Sequence, residues 1–354
     1  MQTAVSGRRT MRLSVVVPVH NGGEDLRRCL HGLAASARPP DEVIVVDDGS
    51  TDDSAADAAA LGARVVATPA GPRGPAYARN RGAEAANGDV LVFIDADVVV
   101  HADTLGRLET VLVDEPDVAA LFGCYDDNPP ARSPASLFKN LLHHYVHQHG
   151  EREAGTFWAG CGAVRRAVFL EAGGFDQGYT RPSIEDIELG VRLRQAGHRI
   201  RLCPEIQATH LKRWTLRSLW RTDIFARAIP WTRLILRRGR LSSDLNLNPR
   251  SRLSALLAWA LLGCTLLVLG LALVGPARLA AWPALGVLLA AAGTAALNAD
   301  LYAFFLRRGG ARFALLAAAL HVAYLLYSSL VFAWLLVCHR LRGKVLRPRE
   351  QTIK

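Results

Sequence analysis

The sequence predicts an α/β domain with a parallel, doubly wound sheet, followed by helices that lie in or on a membrane. Three observations support this prediction. Between residues 13 and 97, short apolar runs alternate with helical stretches and are joined by short loops. Two of these apolar runs end directly in carboxylates. Beyond residue 252, three long apolar runs follow one another.

The N-terminal elements follow from local pattern. Apolar, β-branched runs of four to seven residues indicate buried strands, and apolar residues recurring every three or four positions indicate helices. Residues 20–23 and 71–75 contain glycine or proline and are expected to be turns or loops. On these grounds the strands are predicted at 13–19, 42–46, 64–67 and 90–94, and the helices at 24–37, 55–61 and 76–86.

The fourth predicted strand ends in Asp95-Ala96-Asp97. In open α/β sheets, ligands bind beyond the carboxyl ends of the strands, so both carboxylates are expected where a ligand lies. Mg²⁺ and Mn²⁺ prefer oxygen ligands and are commonly held by one or two carboxylates plus substrate phosphates. The motif therefore predicts an Mg²⁺ or Mn²⁺ site on a diphosphate, although a short Asp-x-Asp sequence taken alone is equally typical of a solvated turn.

Four short motifs follow one another in the N-terminal part of the chain. They are 15–21 (Val-Val-Val-Pro-Val-His-Asn), 45–52 (Val-Val-Asp-Asp-Gly-Ser-Thr-Asp), 78–82 (Ala-Arg-Asn-Arg-Gly) and 93–97 (Phe-Ile-Asp-Ala-Asp). By these motifs and their order, residues 12–215 resemble the catalytic domain of family 2 glycosyltransferases. The resemblance implies the GT-A fold, a Rossmann-like nucleotide-binding core, and a nucleotide-sugar donor linked to UDP or GDP.

The resemblance also implies roles for individual residues. Asp97, with help from Asp95, would hold the metal on the diphosphate, and His210 would be a further metal ligand. Asp186, in the Glu-Asp pair of residues 185–186, would be the catalytic base. The residues that would contact the nucleotide or lie near it are Pro18, His20, Asn21, Asp47, Asp48, Arg79 and Asp95.

Further features of the middle of the chain bear on these roles. Residues 156–163 are predicted as a glycine-punctuated strand, which resembles the family segment that lines the sugar pocket. Ser183 is expected to cap the helix that carries Asp186. His143 and His147 lie one helical turn apart and allow either a metal pair or an exposed helix surface. Residues 200–203 are predicted as a strand that Pro204 interrupts.

The C-terminal part is predicted to be membrane-associated. Residues 216–252 are arginine-rich and amphipathic, with a kink at Pro230, as expected of a helix in the membrane interface. The apolar runs 253–274, 279–297 and 313–338 are predicted membrane segments. Residues 1–11 are expected to be disordered and 339–354 to form a basic tail. The excess of arginine before residue 253 predicts that residues 12–215 face the cytoplasm, whereas three full crossings would put the basic tail outside.

The function that these predictions support is a multi-pass, membrane-anchored, inverting glycosyltransferase. It would move a sugar to a lipid-linked or glycan acceptor with the help of Mg²⁺ or Mn²⁺. The net charge of +10 would also suit a nucleic-acid partner, but the apolar runs favour a membrane instead. A processive polysaccharide synthase is an alternative, although His-x-x-Arg-Trp at 210–214 replaces the Gln-x-x-Arg-Trp of such enzymes. A non-catalytic nucleotide-sugar-binding membrane protein is a second alternative.

Overall fold

The computed structural model describes residues 11–69, 71–238, 248–275 and 277–341. Most of the predicted N-terminal tail (1–10), part of the arginine-rich segment (239–247) and most of the basic tail (342–354) lie outside the described residues. The chain divides into two compact units. The first consists of Met1–Arg132 and His143–Arg213, and the second of Ser133–Leu142 and Trp214–Lys354.

The first unit contains an eight-stranded sheet whose order is β3-β2-β1-β4-β7-β6-β8-β5. The strands β1 to β4 are parallel to one another, β7 is antiparallel to both β4 and β6, β6 is parallel to β8, and β5 is antiparallel to β8. The strands are β1 (Leu13–Val19), β2 (Glu42–Asp47), β3 (Arg64–Ala67), β4 (Val90–Ile94), β5 (Val98–Val100), β6 (Val118–Tyr125), β7 (Cys161–Arg165) and β8 (Arg199–His210).

Helices connect these strands, and one apolar cluster packs on each side of the sheet, as the alternation of side chains along buried strands requires. The predicted α/β core is confirmed, but only its first four strands form the parallel sheet that was expected. The helices are α1 (Gly23–Ala34), α2 (Ser54–Ala60), α3 (Pro75–Ala85), α4 (Thr104–Asp114), α5 (Pro134–Gln148), α6 (Arg166–Glu171) and α7 (Glu185–Gln195). Residues 134–142 of α5 belong to the second unit.

Three local predictions for the first unit were wrong. The strand expected at 156–163 begins only at Cys161. Helix α7 has Ile184, not Ser183, at its N-cap position. The strand expected to end before Pro204 continues to His210 as β8. Proline is tolerated there because the pairing of β6 with β8 shifts register between Phe122 and Cys124, and a bulge does not need the missing N–H.

The second unit is helical in the residues described. The predicted amphipathic helix is interrupted by a π-helical segment, Thr222–Ala228, which ends two residues before Pro230. The helix therefore widens before the proline, which has no N–H to donate to the preceding turn. The helices are α8 (Leu216–Arg221), α9 (Ile229–Arg238), α10 (Pro249–Val274), α11 (Ala281–Leu297) and α12 (Ala299–Leu341).

Among the residues that the structure describes, three helices are long and apolar enough to cross a membrane: Pro249–Val274, Arg278–Leu297 and Ala299–Leu341. The third is longer than the predicted segment 313–338. Gly310 interrupts it with φ 76° and ψ 176°, a conformation that side chains with a Cβ rarely adopt. Helix α12 is therefore two helical pieces that meet at Gly310.

Candidate active site

The predicted nucleotide and metal residues lie at one edge of the sheet. Because β1 is parallel to both β2 and β4, the carboxyl ends of these three strands meet at this edge. Pro18, His20 and Asn21 lie at the end of β1, Asp47 and Asp48 at the end of β2, and Asp95 and Asp97 after β4. Strands β4 and β6 are both antiparallel to β7 and therefore run in the same direction. Tyr125, the last residue of β6, accordingly lies at the same edge of the sheet.

The turn after β1 is held by the turn after β2. Asn21 has φ 55°, which is uncommon for a residue other than glycine. Its side-chain oxygen accepts a hydrogen bond from the Thr51 N–H at 2.7 Å, and its own N–H donates to Ser50 Oγ at 2.9 Å. His20 Nδ1 lies 3.0 Å from the Asp48 carbonyl oxygen. Asp47 Oδ1 accepts the N–H of Ser50. The two turns therefore form one hydrogen-bonded unit.

Asp48 is buried, and both of its carboxylate oxygens have partners within the protein. Oδ1 accepts from the Arg73 N–H at 2.8 Å and from Thr68 Oγ1 at 2.9 Å, and Oδ2 accepts from the Gly74 N–H at 2.7 Å. Gly74 has φ 93°, and a Cβ there would lie 2.5 Å from the Thr180 carbonyl oxygen. Asp48 therefore shapes the loop before α3.

Arg79 joins two parts of the site. It extends from α3, is 5% exposed, and donates to Asp95 Oδ1 at 2.6 Å and to Glu185 Oε1 at 2.9 Å. Its guanidinium also lies over the ring of Phe175. Burial lowers the pKa of Arg79, but the charges of Asp95 and Glu185 outweigh it and raise the pKa above its ordinary value. Arg79 thus neutralises two carboxylates.

Asp97 lies beside His210 because β5 pairs with β8. The Leu211 N–H donates to the Asp97 carbonyl at 2.8 Å, and Val98 is opposite His210. Asp97 Oδ2 is 3.7 Å from His210 Nε2 and 3.7 Å from Lys212 Nζ. Burial raises the pKa of Asp97, but His210 and Lys212 more than offset it, and the pKa falls to about 2. Asp97 is consequently an anion at every physiological pH.

Asp186 is in the first turn of α7 and is 6% exposed. Its Oδ1 accepts the Ile187 N–H at 2.8 Å, and its Oδ2 accepts the Ala159 N–H at 3.1 Å. A carboxylate that accepts two backbone N–H groups near a helix N-terminus is stabilised in its charged form. Its orientation is set by both α7 and the loop that precedes β7.

The predicted metal residues are only partly brought together. Asp97 and His210 are neighbours, whereas Asp95 is paired with Arg79. Within the described ranges, no group of three or more His, Cys, Asp or Glu side chains could hold a metal ion. The pair that is present still suits Mg²⁺ or Mn²⁺, because such ions usually take one or two protein ligands and complete their shell with phosphate oxygens and water.

The histidine pair of α5 does not lie on an exposed helix surface. His147 is 4% exposed, and its Nδ1 lies 3.1 Å from the Gly123 carbonyl oxygen, to which it can donate. Burial lowers the pKa of His147 to about 4, so the ring is neutral. It packs against Phe122 and Trp158. His147 is therefore part of the interior of the first unit, and His143 beside it is half-buried.

Sequence reasoning missed three residues of the site. Glu185 is 4% exposed and is the second carboxylate on Arg79, and it also accepts the Ser183 N–H at 2.9 Å. Lys212 contributes a positive charge near Asp97. Tyr125 stacks on His210. Glu185 is in the Glu-Asp pair of residues 185–186, and Lys212 is within the His-x-x-Arg-Trp sequence at 210–214. Each could have been found as a charged residue close to a predicted site residue. Nothing in the sequence around Tyr125 distinguishes it.

Comparison with known proteins extends this description. Residues 14–173 match the family model described as Glycosyl transferase family 2. Over 230 residues the chain is 33% identical to the pre-mycofactocin glycosyltransferase of Mycobacterium tuberculosis, an alignment that covers 60% of this chain and 45% of that protein. It is 28% identical to the validoxylamine A glucosyltransferase of Streptomyces hygroscopicus subsp. limoneus, with 52% and 48% covered.

A solved structure has the same fold over most of the chain. The mannosyltransferase PcManGT of Pyrobaculum calidifontis, in complex with GDP-Man and Mn²⁺, superimposes with a TM-score of 0.60 at 21% identity. The match covers 92% of this chain and 88% of that one. The chain spans about half the length of the curated relatives described above.

Proposed function

Residues 14–173 belong to glycosyl transferase family 2, and from this membership we propose that the chain is a membrane-anchored, inverting glycosyltransferase. The donor is a nucleotide sugar, linked to UDP or GDP. The bond between the anomeric carbon and the donor phosphate breaks, and a bond from that carbon to an acceptor oxygen forms on the opposite face. The nucleoside diphosphate leaves with the electron pair.

The observation that carries this proposal is the ion-pair chain through Arg79. Its guanidinium contacts Asp95, which follows the buried strand β4, and Glu185, which precedes Asp186 on α7. The contact with Glu185 is buried and the contact with Asp95 is partly buried. Removing one partner of the buried pair would leave an uncompensated charge. These two ion pairs connect the Asp-x-Asp turn to the first turn of α7 through Arg79. The proposed reaction needs the metal–diphosphate site and the base to be held near each other in this way.

Nucleotide binding is assigned to the two joined turns. Pro18, His20, Asn21 and Asp47 are exposed or half-buried at the edge of the sheet and would contact the base and ribose. Asp48 acts indirectly, because its oxygens are used to fold the loop before α3. Arg79 is likewise assigned a role through Asp95, since its charge is already shared by two carboxylates.

Asp97 and His210 would hold Mg²⁺ or Mn²⁺. Asp95, which is paired with Arg79, would assist Asp97. The donor atoms of the pair, a carboxylate oxygen and an imidazole nitrogen 3.7 Å apart, are of the types that these ions accept. When bound, the metal supplies positive charge that stabilises the departing diphosphate. Lys212, 3.7 Å from Asp97, adds charge of the same sign.

Asp186 is assigned as the base for a hydroxyl acceptor. One of its oxygens would take the hydroxyl proton while the acceptor oxygen bonds to the sugar. The two backbone N–H groups that bind Asp186 orient the carboxylate before the acceptor arrives. A phosphate acceptor has no proton to lose, and Asp186 would then only orient it.

The second unit is assigned to the membrane. The three helices of the described ranges that are long and apolar enough to span a membrane support membrane association. We further propose that the first unit faces the cytoplasm, where nucleotide sugars are available, and that the acceptor is lipid-linked or a glycan precursor. A catalytic domain tethered to a membrane gains effective concentration toward an acceptor in that membrane.

The test is a panel of UDP- and GDP-sugars with full-length protein in detergent, scored by nucleoside diphosphate release. We expect one donor to be used, and Asp97→Ala to lower turnover at least about a hundredfold, since a Lewis-acid metal contributes several kcal/mol. Asp89→Asn is the matched control, because Asp89 is exposed at the opposite end of β4. Release from no donor would contradict the activity, and full activity in excess EDTA would contradict the metal.

A further inference from the structure

The imidazole of His210 is stacked on the ring of Tyr125. The two ring centroids are 4.0 Å apart, and the ring planes differ by 4°. Tyr125 is the last residue of β6 and His210 is the last residue of β8, and these neighbouring strands are parallel. Their carboxyl ends therefore coincide, and the two side chains lie side by side.

Tyr125 is itself held in place. It is 7% exposed, and the ring of His143 packs against it at a tilt of 37°, with the ring centroids 4.5 Å apart. The indole of Trp158 meets it at 90° with a centroid separation of 4.7 Å. The edge-to-face arrangement with Trp158 is one that aromatic rings favour. Tyr125 is thus a fixed surface for His210.

Asp97 orients His210 only weakly, because Asp97 Oδ2 is 3.7 Å from Nε2, which is longer than an ordinary hydrogen bond. A histidine that binds a metal usually donates its other ring N–H to a carboxylate or carbonyl, which sets the ring orientation. Here the ring of Tyr125, which is stacked on His210, can set the orientation of the imidazole.

We infer that Tyr125 is a positioning residue for the divalent-metal site: its ring, clamped by His143 and Trp158, holds the His210 imidazole so that Nε2 faces Asp97. This inference rests on the proposed function, because it concerns the metal that Asp97 and His210 would share. The phenol hydroxyl has no part in it. The required property is a planar ring at this position.

The test compares Mn²⁺ binding by the full-length protein with GDP or UDP present, measured from the electron paramagnetic resonance signal of free Mn²⁺. Tyr125→Phe keeps the ring and should bind Mn²⁺ within about twofold of wild type. Tyr125→Leu keeps the apolar volume but removes the ring, and should weaken binding by about ten- to a hundredfold, the usual range for residues that orient a ligand. Tyr125→Met makes the same comparison if Tyr125→Leu does not fold.

A double-mutant cycle shows whether Tyr125 acts through His210. In the His210→Ala background, Tyr125→Leu should change the Mn²⁺ affinity less than about twofold, because there is no imidazole left to orient. Equal losses in Tyr125→Phe and Tyr125→Leu would overturn the inference. The same loss from Tyr125→Leu with and without His210 would overturn it too, since it would show a general packing effect.

Failure of the inference can be told from failure of the proposed function. Nucleoside diphosphate release by the wild-type protein is measured in the same preparation. Release from a donor, together with Mn²⁺ affinities that do not depend on Tyr125, rejects the inference and leaves the glycosyltransferase activity standing. No release from any donor and no Mn²⁺ binding reject both.

Discussion

The two units of the chain differ in the exposure of their apolar side chains. In the first unit large apolar side chains such as those of Phe93 and Phe122 are buried, and the buried charged residues Asp48, Arg79 and Glu185 each have partners. In the second unit many large apolar side chains are exposed: Leu273 is 84% exposed, Val274 91% and Trp282 79%. Single exposed apolar residues are ordinary, but a continuous apolar surface indicates a partner or a membrane.

This difference in exposure indicates that water surrounds the first unit and lipid surrounds the helices of the second. A water-soluble domain is stabilised by removing apolar surface from water, and it must pair the polar groups that it buries. A helix in lipid satisfies its own backbone and needs no apolar interior. In helices α10 and α11, the most apolar stretches are only 6% and 11% buried within the protein.

The largest effect is expected at the buried carboxylate of Asp186. Asp186→Asn cannot take a proton, so with a hydroxyl acceptor turnover should fall by roughly two to four orders of magnitude while donor affinity stays near normal. Calorimetric donor binding beside steady-state rates checks this. A tenfold loss of donor affinity with unchanged kcat would place Asp186 in the binding site instead.

The structure also predicts that Asp186→Asn is less stable than the wild-type protein. Both oxygens of Asp186 accept backbone N–H groups, and the amide nitrogen of asparagine cannot accept either one. Asp186→Asn should therefore also lose about 1–3 kcal/mol of stability. Thermal unfolding of the variant separates this loss from the loss of the base.

A charge placed on the exposed surface of each unit should have different consequences. Leu266 of α10 and Leu170 of α6 are 59% and 44% exposed. If α10 lies in lipid, Leu266→Arg should disfavour insertion by about 2.5–3.5 kcal/mol, and the chain retained in carbonate-washed membranes should fall. Leu170→Arg should leave retention unchanged. Equal retention of both variants would mean that the surface of α10 faces water.

A smaller effect is expected at the buried carboxylate of the second unit. Asp223, on the π-helical segment, is 4% exposed and pairs with Lys139, and it also accepts the Tyr327 hydroxyl at 2.6 Å. Tyr327→Phe removes a hydrogen bond to a charged group, which is worth about 1.5–3 kcal/mol.

The melting temperature of Tyr327→Phe in detergent should therefore fall by several degrees, on the scale of roughly 2–4 °C per kcal/mol. The matched variant is Tyr77→Phe in the first unit, because no described residue hydrogen-bonds to the Tyr77 hydroxyl. If both variants melt together with wild type, the Tyr327–Asp223 contact contributes nothing to stability.

The smallest effect concerns a partly exposed pair in the first unit. His101 Nε2 is 3.0 Å from Asp126 Oδ2, and its side chain is 39% exposed. The hydrogen bond to Asp126 raises the pKa of His101 above its ordinary value, and burial only partly opposes this. The stabilisation is therefore complete below the unfolded-state pKa and is lost as pH rises through the folded-state pKa.

His101→Gln should thus destabilise the protein more at about pH 5.5 than at about pH 9, and by less than about 1 kcal/mol, because solvent screens an exposed pair. Unfolding curves of both proteins at the two pH values check this. A larger loss at the higher pH would contradict the assignment of charge to His101.

The sequence was most informative where structure depends on neighbouring residues. Strands β1, β3 and β4 have the predicted bounds, because a short β-branched apolar run has few other stable environments. Strand β8 did not follow its local signal at Pro204, because pairing with β6 and a bulge tolerate the proline. Gly310 divides helix α12, and the piece that follows it contains the predicted segment 313–338.

By itself the sequence determined the α/β core, the apolar helices after it and the positions of Asp95, Asp97, Asp186 and His210 in the chain. It did so because hydrophobic period and short motifs are local properties. Only the tertiary structure decided that Arg79 joins Asp95 to Glu185, that Asp97 lies beside His210, and that Tyr125 stacks on His210. These contacts join residues far apart in the chain, and the order and register of strands bring them together.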